Sequence, residues 1–205
     1  RKERKRLSEE VHPLLMTRGV PGTHDVKLGL EIINSLRNAD KNTVTMIPRF
    51  NKAIDDVYPK SEWTKLVGKP DVVLIDGWCI DATAQEDSEL ITPVNELEAT
   101  EDKDCVWRRY VNDQLKTTYK DLFDTINFLV MLQIPSYDKV FEWRNLQEEK
   151  LRIKSQGKEA THIMTPDQVR RFIAHYERIT RHILAEMPER ADMLFKVNDN
   201  HRLYI

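Results

Sequence analysis

The chain has 205 residues, with 32 Lys and Arg against 34 Asp and Glu, a formal net charge of -2, 40% hydrophobic and 32% charged residues. That length supports one sizeable domain with a real core, and the near balance of charge excludes the basic footprint of a nonspecific nucleic-acid binder. Two cysteines, Cys79 and Cys105, are too few for a disulfide scaffold or a cysteine zinc cluster. No apolar run reaches the roughly 20 residues needed to cross a bilayer, and no signal-peptide pattern is present, so a cytoplasmic, reducing location is expected.

In chain order, the charged run "RKERKRLSEE" opening at Arg1 reads as the solvated face of a helix, with a phosphate-binding arm as the alternative. "MTRGVPGTHDVKLG", residues 16 to 29, is a tightly turned polar loop. In it Arg18 can fork onto a carboxylate or phosphate, and Gly19 and Gly22 let backbone amides approach an anion. Thr23 and His24 are further polar candidates, and Asp25 either meets a ligand or caps the helix read over 25 to 38, whose Val26, Leu30, Ile33 and Leu36 share a face.

"TVTMI", 43 to 47, is a strand candidate, followed by the polar cluster "PRFNKAIDDVYP", 48 to 59, with Arg49, Lys52, Asp55 and Asp56. "VVLID", 72 to 76, reads as a buried parallel strand ending in a carboxylate, and Asp76-Gly77-Trp78 stands where strand ends of such sheets carry function. A hard oxygen donor there suits a magnesium-nucleotide site; a turn-capping Asp is the structural alternative. The acidic stretch 81 to 104 is an excursion from the same domain.

Helices are read over 106 to 126, with Val111, Leu115, Tyr119 and Leu122 on one face, and over 165 to 187, where Thr165, Pro166 and Asp167 suit the first turn. There Val169, Phe172, Ile173, Tyr176, Ile179, Ile183 and Met187 form an apolar stripe. Between them "NFLVMLQI", 127 to 134, is a buried strand, and "EWRNLQEEKLRIKSQGK", 142 to 158, pairs Arg144 with Glu148 and Glu148 with Arg152 at i,i+4. Those arginines either decorate a helix surface or close over a nucleotide as a lid; Arg178 and Arg181 carry the same two readings. "ADMLFKV", 191 to 197, and "HRLYI" complete the strands. The alternation implies an α/β fold, a helix-covered and mainly parallel sheet.

Six stretches in order, "TRGVPGTHD", "PRFNKAIDD", "DVVLIDGWC", "WRRYVNDQL", "PSYDKVFEWRNLQEEKLR" and "FIAHYERITRHILAEMP", resemble the D-glycerate 3-kinase group of P-loop kinases, more distantly related to uridine kinase, phosphoribulokinase and pantothenate kinase. The resemblance spans about Arg4 to Ile205. It implies a P-loop NTPase-type three-layer α/β/α fold, and ATP-dependent transfer of the gamma-phosphoryl to a hydroxyl of a small molecule, with Mg2+ bridging the phosphates. It assigns Asp76 to metal and catalysis, and Arg144 and Arg152 to a lid. Arg18, Thr23, His24, Asp25, Lys52, Asp56 and Trp78 would contact the substrate. No nucleic-acid polymer or membrane partner is implied.

The sequence departs from the group in three places. No Gly-Xaa4-Gly-Lys-Ser/Thr loop occurs, Gly157-Lys158 being followed by Glu159; Asn51 stands where an acidic residue usually precedes the lysine; and Val57 stands where an arginine usually follows the paired aspartates. The first strands and phosphate loop of the fold are therefore expected upstream of Arg1. A kinase of the same fold for another acceptor, such as a nucleoside or pantothenate, and a catalytically inactive binding module are the alternatives.

Overall fold

The computed structural model describes residues 1–52, 54–154 and 163–204. The best predicted helix is the longest element: α7 (Pro166–Glu186) starts with a full capping box, in which Gln168 N–H donates to Thr165 Oγ1 and Thr165 N–H donates to Gln168 Oε1, with Pro166 in the first turn. Its stripe divides as the spacing predicts, with Val169, Ile173, Ile179, Ile183 and Met187 buried. α2 (Val26–Arg37) buries Val26, Ile33 and Leu36. The helix read over 106 to 126 forms but breaks at Thr117 (φ -120°, ψ -99°) into α4 (Val106–Lys116) and α5 (Thr118–Phe123). These helices share one core with Leu15, Val20, Leu115, Tyr119, Phe123 and Met131. A smaller cluster of Tyr137, Val169 and Ile173 lies under α6 (Asp138–Lys154).

The opening run forms α1 (Lys2–Glu10). Lys5 and Arg6 lie exposed and paired within the helix, as read, whereas Arg4 and Leu7 are buried. The acidic excursion contributes one short helix, α3 (Glu96–Glu101), whose first turn is capped by Asn95, with Glu98 N–H donating to Asn95 Oδ1 at 3.0 Å.

The strands depart most from expectation. β1 (Val44–Ile47) pairs antiparallel with β4 (Thr64–Val67), a strand not anticipated, and the two-residue β2 (Phe50–Asn51) and β3 (Asp56–Val57) form a small ladder between them in sequence. β5 (Val130–Gln133) runs parallel to β6 (Met193–Val197), which is antiparallel to β7 (Leu203–Tyr204). The described residues thus hold one parallel ladder instead of a mainly parallel sheet. Residues 72 to 76, expected as a buried strand, lie in no ladder, with Val72 80% and Leu74 88% exposed. A strand exists only when a neighbour takes its N–H and C=O groups, and no described strand lies beside this one. β5 likewise buries only Met131 and leaves Val130 and Leu132 exposed, because nothing described covers its outer face. Ala53, Ile205 and the end of the 142 to 158 segment, with Gly157-Lys158-Glu159, lie outside the described residues.

Candidate functional site

Residues 16–25 turn back on themselves over the core. Val20 and Pro21 are fully buried and anchor the turn. Gly19 (φ 116°) and Gly22 (φ 93°) take conformations open chiefly to glycine. Thr23 staples the turn, its Oγ1 accepting from Gly19 N–H at 2.9 Å and donating to Val20 O at 2.7 Å. Asp25 caps α2, with Leu28 N–H donating to Asp25 Oδ1 at 3.0 Å.

Three aromatic side chains from distant elements hold the outside of the turn. Trp78 Nε1–H donates to Gly19 O at 2.7 Å, the Tyr176 hydroxyl donates to Arg18 O at 2.7 Å, and Gly22 N–H donates to the Tyr119 hydroxyl at 3.1 Å. The amides of Gly19 and Gly22, expected to face an anion, are therefore committed within the protein. That leaves side chains to recognise a ligand here.

The fit is tight. A β-carbon on Gly22 would stand 2.5 Å from Tyr110 Cε1 and 3.0 Å from Gln114 Cγ. Gly22→Ala is expected to cost about 1–3 kcal/mol, from a strained φ and the displacement of Tyr110. The urea midpoint of the variant measures this, and an unchanged midpoint would refute the packing argument.

Arg18 leaves the turn, lies over the Phe50 ring (4.5 Å to its centroid) and pairs with Asp55. Asp55 also takes Arg4, whose Nη1 donates to Met16 O at 2.9 Å. Burial raises the Asp55 carboxyl pKa, but the Arg4 hydrogen bond and the charges of Arg4 and Arg18 outweigh it and hold the group below the usual range. Asp56, the neighbour singled out from sequence, instead accepts from Val57 N–H at 2.9 Å, and Lys52 is exposed. The structure thus joins Arg18 to Asp55 rather than to Asp56. A left-handed backbone at Asp55 (φ 54°) turns that carboxylate toward the two arginines.

Asp76 is exposed and makes no hydrogen bond or ion pair with the described residues, so it caps nothing. Two residues on, Trp78 donates to the turn and packs edge-on against Tyr176 at 5.0 Å. Tyr176 is in turn 5.1 Å from Phe172, over which the Arg144 guanidinium lies at 5.6 Å. Burial pushes the Tyr176 hydroxyl up to about 12, against the opposing charges of Arg18, Arg144 and Arg4. The charges of three guanidinium groups therefore act on one aromatic hydroxyl beside the turn. Arg144 pairs with Glu148 at 2.6 Å, as its spacing predicts, and Arg152, further along α6, pairs with Glu149.

Arg178 is not a surface or lid residue. It is buried in a bidentate pair with Glu98 (2.8 and 2.6 Å) and ties α7 to the excursion, while Arg181 pairs with Glu177 on the helix surface. Sequence reading passed over Arg4, Tyr119 and Tyr176 as parts of helix faces. The signal was present in the tyrosines: a hydroxyl on an apolar stripe needs a partner when buried. Among the described residues no group of three or more His, Cys, Asp or Glu side chains could hold a metal ion, and no helix is long and apolar enough to cross a membrane. A pocket of about 590 Å³ between α3, α6 and α7 contains none of the predicted site residues.

No family model matches the chain. It is 27% identical over 191 residues to the chloroplastic D-glycerate 3-kinase of Arabidopsis thaliana, covering 87% of this chain and 38% of the plant protein. It is 28% identical to the probable ATP-dependent kinase TDA10 of Saccharomyces cerevisiae, covering 80% of this chain and 54% of that protein. It is 26% identical to the uncharacterized kinase mug58 of Schizosaccharomyces pombe, covering 80% and 58%. By sequence it is a relative of D-glycerate 3-kinase-like kinases. In fold it is similar to the structure of the YGR205w protein, which superposes on the whole chain with a TM-score of 0.73 at 22% identity, covering 71% of that chain. The chain spans between about two fifths and three fifths of the length of these curated relatives.

Proposed function

We propose that the protein is an ATP-dependent kinase of P-loop NTPase-type architecture that phosphorylates a hydroxyl of a small anionic acceptor, D-glycerate being the best supported. The observation that carries this reading is the hydrogen bond from Trp78 to Gly19. It brings the Arg18 turn to within two residues of the unpartnered Asp76 carboxylate. An acceptor-binding turn and an exposed acid, 50 or more residues apart in sequence, are then tied together through Trp78.

The residues fit the roles that phosphotransfer demands. Asp76 is an exposed carboxylate with no partner among the described residues, as suits a group that holds magnesium directly or through its water; one or two carboxylates plus phosphates commonly suffice for that ion. When bound, Mg2+ with ATP supplies the phosphoryl group and offsets its charge. Arg18, presented by the stapled turn, forks onto the acceptor's carboxylate in exchange for Asp55. Arg144, stacked over Phe172 on the next helix, neutralises charge developing on the transferred group. Thr23 and Asp25 act by shaping the turn and its helix instead of by touching substrate. Two buried free thiols, Cys79 and Cys105, support the assignment to a reducing, cytoplasmic setting.

The test is ADP release by the intact gene product with ATP and Mg2+, with D-glycerate beside a nucleoside and pantothenate. Turnover with D-glycerate is expected. Turnover with one of the others alone would reassign the acceptor, and failure to bind ATP with magnesium would make the protein a binding module.

A further inference from the structure

His24 reaches out of the turn to the hydroxyl of Tyr119 on α5, its Nδ1 lying 2.6 Å from the oxygen with the rings edge-on at 5.9 Å. The same oxygen accepts from Gly22 N–H at 3.1 Å. Tyr119 is 3% exposed, and the backbone N–H of His24 also faces its hydroxyl oxygen. A phenol has one proton to give. If His24 donated from Nδ1, the oxygen would accept twice and the buried O–H would be left without an acceptor, which costs about 1–3 kcal/mol. If the hydroxyl donates to Nδ1, every group is satisfied, and a neutral imidazole must then carry its proton on Nε2.

We propose that Tyr119 is a positioning residue whose hydroxyl holds His24 in the Nε2–H tautomer and orients that N–H, beside Arg18, as a donor to the carboxylate of the acceptor. Nε2 has no partner among the described residues, and His24 is exposed. The identity of the ligand rests on the phosphotransfer reading; the tautomer does not. Packing of the ring against Tyr119 desolvates the otherwise exposed imidazole in part and, with the Arg18 charge, lowers the His24 pKa in keeping with this arrangement. Burial raises that of Tyr119, so the phenol keeps its proton. The titratable groups facing the pair are Arg18 in the turn, Tyr110 on α4 and the Cys79 thiol.

The intact protein, labelled with 15N-histidine and assigned with His24→Gln, decides the tautomer by long-range proton–nitrogen correlation. Nε2 protonated and Nδ1 bare is expected; a proton on Nδ1 in the neutral wild-type side chain would overturn the proposal whatever any Tyr119 variant does. In Tyr119→Phe, the His24 titration is expected to move up toward the ordinary value of about 6.5. KM for the acceptor should rise about 3- to 10-fold, the equivalent of one hydrogen bond, with KM for ATP unchanged and kcat within twofold. An unchanged acceptor KM would also overturn it. Absence of turnover with any acceptor in the wild type would sink the kinase reading instead, leaving the tautomer result standing.

Discussion

Asp76→Asn is expected to lower kcat about 10²- to 10³-fold while shifting stability by less than about 0.5 kcal/mol. Carboxamide and carboxylate have the same shape, so the substitution removes charge and a metal-binding oxygen without opening a hole. Where a carboxylate caps a turn, such a change also loses a capped amide. Here it does not, because Asp76 makes no hydrogen bond or ion pair with the described residues and is exposed. Its conformation therefore owes nothing to its charge. Steady-state turnover of the intact protein at saturating ATP, beside its thermal midpoint, separates the two quantities. A fall in both together, or turnover at the wild-type rate, would remove Asp76 from the catalytic role.

Arg178→Ala carries the opposite signature: a loss of about 3–5 kcal/mol in stability, with acceptor KM little changed. Arg178 donates to both Glu98 oxygens, to Glu89 O at 3.0 Å and to Thr92 O at 2.7 Å, pinning the excursion and α3 against α7. Removing it strands the Glu98 carboxylate, 1% exposed, in the interior with, among the described residues, only Val94 N–H still donating to its Oε2. At roughly 2–4 °C per kcal/mol for a chain of this size, the thermal midpoint should fall by on the order of 10 °C. Pairing Arg178→Met with Glu98→Gln removes the stranded charge and is expected to restore more than half of the loss. A midpoint within 2 °C of wild type for Arg178→Ala, a shift of about 1 kcal/mol or less, would show that the pair contributes little beyond its own desolvation.

The arginines of α7 illustrate why charge alone does not reveal a role. Arg178 and Arg181 lie three residues apart on one helix, and both read from sequence as surface or lid. One is buried against Glu98 and the other exposed beside Glu177, because of the two only Arg178 faces the excursion, whose groups it meets 80 to 89 residues away in the chain. In the same way Asp55 and Asp56 are indistinguishable as letters. A left-handed backbone at Asp55 sends its carboxylate to Arg4 and Arg18, and leaves Asp56 to its own neighbour's amide.

What the sequence by itself determined was local. The α2 and α7 stripes, the Thr165 capping box, Asp25 as a cap and the turn around Gly19 and Gly22 all follow from interactions within about five residues, where spacing and side-chain chemistry leave few choices. The run of motifs also pointed to kinase relatives. Only the tertiary structure decided which strands pair, that residues 72 to 76 pair with none, and that Trp78, Tyr119 and Tyr176 converge on one turn. Strand pairing and long-range hydrogen bonds need a partner, and the identity of that partner is written elsewhere in the chain.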